Sequence, residues 1–409
     1  MNLMIVRSLK LIALASIGCV GVVIAALLIF SAVSRPPEKA DFASDYLMGR
    51  AILSGNNPYV PLNILGEQFG ISTQFTHPSP HPPSFAILIA PLAVFSFKWA
   101  YLITLVVGLI CLVSSFRQFL PNNNLGLLLA VTASIAWPPV WANLYLGQSM
   151  LAQLLLLILA WQSLNDRRDI IAGALLGLVI SIKLIMWPLL LLLMIRKRLK
   201  AVGVAAVVFG TANLLSASVI GLGPVTTYYL QTGREIAAIY RNYAGNFAVW
   251  TIGPRIFIGT TKLGATQLVT FPLIDAPSLA FVTSAICVLA IVAYVSIFLL
   301  MKVGLEVAFW VVVGAAIILS PIAWSHYLIL LIPALIGLLT ASDWQSKTTV
   351  VLALTAPIIA LVVFPFFTAP APFIVSMLEL WPLLIVLLAI TALSKARSDI
   401  RFRIPKEVP

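Results

Sequence analysis

Charge is what this chain has least of. Of its 409 residues only 9% are Asp, Glu, Lys or Arg, against about 25% in an ordinary soluble domain. With 61% hydrophobic residues and a mean hydropathy of +1.07, the chain carries more apolar surface than a soluble core of this length can hide. A water-soluble enzyme is excluded, as are disordered and collagen-like chains. Cysteine is scarce too. Cys19, Cys111 and Cys287 all lie in apolar runs, so there is neither a disulfide framework nor zinc-ligand spacing. The Walker A loop, the GxGxxG turn, HExxH and the serine nucleophile elbow are all missing. So is an Asp-x-Asp pair, with which nucleotide-sugar enzymes often hold a metal.

What the chain does have is a series of apolar runs, the pattern of a polytopic, all-α integral membrane protein. The runs predict about twelve spans, near 11–33, 98–116, 124–138, 147–164, 169–182, 184–195, 201–221, 278–301, 305–320, 326–340, 347–367 and 374–394. The first follows Arg7 and Lys10 and exceeds the roughly 7–15 residues of a signal-peptide core. We read it as an uncleaved span, with cleavage near Ala32-Val33-Ser34 as the alternative. Two long polar stretches, 34–84 and 222–277, interrupt the series, and residues 1–409 are expected to form a single membrane-embedded domain.

Sidedness depends on the run 169–195. Broken at Ser181-Ile182-Lys183, with Trp187-Pro188 helping, it becomes two short arms. Alternation then places 16 of the 25 cations inside: Arg7, Lys10, Arg117, Arg167, Arg168, Arg196, Lys197, Arg198, Lys200, Lys302, Lys347, Lys395, Arg397, Arg401, Arg403 and Lys406. Both termini are then cytoplasmic, both polar stretches lie outside, and the net charge of +12 reflects cytoplasmic loops instead of nucleic-acid binding. Segment 84–95 is too short to cross and is expected to half-insert from outside.

Candidate chemistry gathers on the outer side. Asp41 and Asp45 open a stretch running to Tyr59 that reads as a short amphipathic helix at the membrane surface. Asp41 suits an N-cap and a general base equally, and the two roles are compatible. His77 and His81 lie four apart, but Pro78, Pro80, Pro82 and Pro83 forbid the helix that a metal pair would need, so a rigid extended segment is expected. Lys183 at an outer helix end either lines a polar cavity or snorkels. His326, in Ser320-Pro-Ile-Ala-Trp-Ser-His-Tyr327, either anchors at the interface or serves function. Asn143, Gln148 and Gln153 follow an outer turn. Arg234, Arg241, Arg255 and Lys262 accompany Tyr228, Tyr229, Tyr240 and Tyr243 in the second outer loop, which suits either a lipid phosphate or an interfacial belt.

Taken in order, these segments resemble glycosyltransferase family 87, within the GT-C class of polyprenyl-phosphate-sugar-dependent membrane enzymes. The resemblance rests on Asp41-Phe-x3-Tyr46 with Leu53-x-Gly-x2-Pro-Tyr59, His81-Pro-Pro with the apolar run to Leu92, Asn143-x3-Gly-Gln148, and Ala172-Gly-x-Leu-Leu-Gly-Leu continuing to Lys183. Gly245-Asn246 with Arg255, and Ser320 to Tyr327, complete it. The chain departs from the family pattern at His81, where Tyr is common, at Asp45, where an aromatic is common, and at Ala248, where Ser is usual. The resemblance implies a GT-C-type helical bundle with outer juxtamembrane helices in the cytoplasmic (inner) membrane, its active site facing outward. It also implies inverting transfer of a hexose, mannose first, from a polyprenyl-phosphate carrier to a glycan or glycolipid acceptor. Asp41 is then the base, with His326 as a second catalytic group. Asp45, Tyr46, His81, Asn143, Gln148, Lys183, Arg241, Asn246 and Arg255 are expected to bind substrate, with Lys183, Arg241 or Arg255 on the leaving phosphate. No nucleotide and no metal are required, though a divalent ion stays open. A polyprenyl-linked glycan ligase or flippase and a secondary transporter are the alternatives. A transporter would show inverted repeats and midplane charges, and we find no convincing internal repeat.

Overall fold

The computed structural model describes residues 3–34, 41–73, 75–261, 269–301, 303–367 and 371–396. Lys262, Lys302 and the basic tail from Arg397 onward lie outside the described residues. Among the described residues the chain is helical, with only isolated bridges such as Thr260 with Thr270. The helices are α1 Leu3–Ser34, α2 Phe42–Leu53, α3 Leu62–Phe69, α4 Pro83–Ile89, α5 Phe97–Arg117, α6 Asn124–Ala136, α7 Pro138–Leu146, α8 Met150–Asn165, α9 Asp169–Ile182 and α10 Pro188–Ile195. They continue with α11 Leu199–Ile220, α12 Leu222–Thr227, α13 Gly233–Ile239, α14 Ile252–Phe257, α15 Pro277–Leu300, α16 Leu305–Leu319, α17 Ile332–Thr340, α18 Trp344–Val363, α19 Phe373–Leu378 and α20 Trp381–Lys395.

By length and composition, four stretches among the described residues can cross a bilayer: α5, α11, α15 and Trp344–Phe366. The pair α6 and α7 makes a fifth if counted as one span; it bends by 72° where Pro138 starts α7. These four or five do not confirm the predicted count of twelve. The reason is geometric. Helices α8, α9, α16 and α20 have 16, 14, 15 and 15 residues, and at about 1.5 Å per residue each falls short of a ~30 Å hydrocarbon core. The predicted break in 169–195 is present. Helix α9 ends at Ile182, Lys183 is extended (φ −145°, ψ 131°), and α10 starts at Pro188. Segment 84–95 forms the short α4 followed by a 3-10 turn, Ala90–Val94.

Helix α16 lies at the centre, with Trp310 fully buried against Trp161 of α8 at 5.9 Å. Helices α9 and α11 pack backbone to backbone because Gly173 and Gly177, four apart, leave room for the Ala201 and Ala205 carbonyls. Helix α15 turns Leu279, Phe281, Ile286, Leu289 and Ile297 outward, an apolar face of the kind that lipid covers. Helix α2 differs from the predicted surface helix, because ten of its twelve residues are buried. The segment before α4 covers its polar side, with Ser44 Oγ donating to Ser79 Oγ at 2.9 Å.

Candidate active site

A cavity of about 1,210 Å³ opens where α2, the segment 75–82, the α9–α10 break, α13 and the Ser320–Tyr327 segment meet. Asp41 stands in its wall, just before α2. It holds the N-cap position, yet its side chain makes no capping hydrogen bond. Oδ2 instead accepts from Gln148 Nε2 at 3.0 Å. Gly147 makes this approach possible. Its φ of +69° closes α7, and a Cβ there would lie 2.7 Å from the Cβ of Phe42.

The network continues through Lys183. Its Nζ donates to Gln148 Oε1 at 3.0 Å and to the Tyr327 hydroxyl at 3.3 Å, and lies 4.7 Å from the Tyr327 ring centroid. The α9–α10 break explains its reach: a residue released from helical geometry at a buried helix end can project an ammonium into a cavity. Behind it, Asp45 and His81 face each other at 3.2 Å, both buried, without the alignment of a hydrogen bond. Burial pushes the Asp45 carboxyl up to about 8, with Lys183 pulling it down and Asp41 adding to the rise. Burial, then the charge of Lys183, holds His81 well below the ordinary imidazole range, and its ring also hydrogen-bonds the Ile182 backbone. Hydrogen bonds thus link Asp41, Gln148 and Lys183, and the charge of Lys183 acts on the Asp45–His81 pair.

Of the residues singled out in the sequence, Asp41, His81, Gln148, Lys183 and His326 line the cavity. His326 is buried, and its Nε2 has no hydrogen-bond partner among the described residues. His77, Tyr228, Tyr229, Arg234, Tyr240 and Tyr243 line the cavity too, whereas the expected substrate-binding residues Asp45, Tyr46, Asn143, Arg241, Asn246 and Arg255 lie off the lining. Tyr46 donates to the Phe95 carbonyl at 2.8 Å and packs on Phe97. Asn143 accepts from Met150 N at 3.1 Å and so ties the turn before α8. Arg241 is exposed outside the lining. Arg255, expected on a phosphate, is buried and occupied: it pairs with Glu379 at 3.1 Å and donates to the carbonyls of Ser376, Ala244 and Asn246. Asn246 donates to the carbonyls of Tyr240 and Pro321 and accepts from Ala248 N and Ala323 N. The pairing of Tyr327 with Lys183 has no local signal in the sequence, since 144 residues separate the two.

The family model of glycosyltransferase family 87 matches residues 80–321. The chain belongs to that family. It is a membrane glycosyltransferase, and the matched segment of this family 87 protein contains His81, Asn143, Gln148, Lys183, Arg241, Asn246 and Arg255. Asp41, Asp45, Tyr46 and His326 lie outside it. Comparison with curated proteins and with solved structures gives no match.

Proposed function

We propose that this glycosyltransferase moves a hexose, mannose in the first instance, from a polyprenyl-phosphate carrier to an acceptor hydroxyl at the outer face of the cytoplasmic membrane, inverting the anomeric configuration. One observation carries the reading. Asp41 is the only carboxylate among the described residues that line the cavity, and it shares that lining with Lys183.

The chemistry follows from this pairing. The acceptor oxygen attacks the anomeric carbon while Asp41 takes its proton. The bond from that carbon to the phosphate oxygen breaks on the opposite face, and the electron pair leaves with the polyprenyl phosphate. Lys183, held by Gln148 and Tyr327, stabilises the departing phosphate, with Arg234, also on the lining, as a second cation. His326 directs its open nitrogen to a substrate oxygen. The rest of the wall is apolar. Leu191 and Ile195 of α10, Val292 and Leu299 of α15, and Val312 and Leu319 of α16 recur at helical spacing, a surface suited to a prenyl chain.

The test uses purified protein in nanodiscs, radiolabelled polyprenyl-phosphate mannose and a membrane lipid extract. Wild type is expected to transfer label. Asp41→Asn, folded by thermal unfolding, is expected to lose about 10²–10⁴ in rate. Undiminished transfer by Asp41→Asn would remove the carboxylate from the mechanism.

A further inference from the structure

The residues that the sequence marks but the reaction leaves unused, Asn246 and Arg255, converge on one feature. Asn246 makes four hydrogen bonds of 2.9–3.1 Å, three of which tie the segment carrying Tyr240 and Tyr243 to the segment carrying Trp324. Arg255 grips the carbonyls on either side of Gly245. The product is a fixed trio of rings on the cavity wall. Trp324 meets Tyr240 at 5.3 Å and 89°, and Tyr243 at 5.2 Å and 88°. The two tyrosines meet at 5.7 Å and 87°. Tyr240 is pinned by His77, whose Nε2 lies 2.6 Å from its hydroxyl. At Gly245 a Cβ would come within 2.8 Å of the Tyr243 ring, so only glycine leaves the trio uncrowded. All three rings line the cavity, and all three are only partly buried.

We propose that Tyr240, Tyr243 and Trp324 form the acceptor subsite and that the group they take is a hexopyranose ring. This rests on Asp41 as the base, since the acceptor hydroxyl must reach that carboxylate. Its two phenols feel that carboxylate: burial first, then the charge of Asp41, pushes the Tyr240 phenol above its usual value and the Tyr243 phenol up to about 12. A pyranose has a face of C–H bonds and a rim of hydroxyls. The C–H face suits the electron-rich face of an aromatic ring. The rim needs placed polar groups, and the His326 nitrogen and the Ser325 side chain follow Trp324 directly on the lining. A fixed wall also lowers the ordering cost of binding, which accounts for a buried arginine and a four-bonded asparagine that touch no substrate.

The ring can belong to a free glycan or to a glycolipid headgroup. Binding of tritiated mannotriose, and separately of a mannosylated lipid carried in the nanodisc, distinguishes these sources. Wild type and Asp41→Asn are expected to bind at least one of the two. Trp324→Ala is expected to weaken that binding about tenfold, and Trp324→Phe to recover most of it. Thermal unfolding of each variant separates a lost subsite from a lost fold. Equal binding by wild type and folded Trp324→Ala, or binding of neither probe by a wild type that glycosylates a serine peptide, would overturn the assignment. If Asp41→Asn still transfers sugar, the base reading fails, and the mannotriose result judges the aromatic wall by itself.

Discussion

Lys183 reaches two neighbours because the chain leaves helical geometry at that residue, and its chemistry depends on their spacing. Its ammonium serves Gln148 and Tyr327 together. Lys183→Met is expected to reduce transfer at least 10²-fold, the scale on which lost electrostatic stabilisation is felt. Lys183→Arg should not restore it, since a planar fork does not replace a compact ammonium between two fixed oxygens; steady-state rates of the two variants check this. Asp45 and His81, 36 residues apart in the chain, are brought into contact by the fold. Asp45 also sets a pH dependence, with His81, Lys183 and Asp41 as its charged or titratable neighbours. Its folded value lies above the ordinary 3.8. The folded state therefore holds the proton more tightly, and this group's contribution to stability is full below 3.8 and falls as pH rises toward about 8. Asp45→Asn should flatten the dependence of the thermal midpoint between roughly pH 5 and 8. A slope identical to wild type would count against a buried protonated carboxyl.

At the scale of elements, the glycine ending α7 and the clamp on the 244–246 loop invite direct tests. Gly147→Ala meets both a positive φ and the Cβ of Phe42, so α2 must shift, and Gln148 with it. The expected result is a loss of activity disproportionate to a destabilisation of about 1–3 kcal/mol, read from kcat beside the unfolding midpoint. Arg255→Met leaves the partly buried Glu379 without its cation and the Arg255 site without its hydrogen bonds, and should cost about 3 kcal/mol. The double change with Glu379→Met should recover part of that loss in the same unfolding assay. How much of this was legible in the sequence depends on range. The break at Lys183 could be read because charge and a following Trp-Pro interrupt an apolar run. The short 84–95 segment could be read from its length. The role of Arg255 could not, since Glu379 lies 124 residues away and a cation among tyrosines looks the same whether it binds a phosphate or a loop. The count of twelve spans is not confirmed for a related reason: apolar runs report composition, whereas 3-10 turns and prolines decide how much of each run stays one straight helix.

For the molecule as a whole, the cavity couples a polar end to an apolar wall on α10, α15 and α16. A donor whose prenyl tail is cut to one or two units should bind at least tenfold more weakly, since about 0.8 kcal/mol accompanies each buried CH₂; competition against full-length carrier measures this.

The polar network also has a history along the chain. Asp41 meets Gln148 across 107 residues, and Lys183 meets Tyr327 across 144. During synthesis from the N-terminus, the first of these bonds can close early, but the second must wait until residue 327 has left the ribosome. Until then Lys183 lacks the phenol that helps hold it in place. A nascent chain, or one truncated before Trp324, thus carries Asp41 without its complete surroundings, and competence for transfer arrives late in biogenesis.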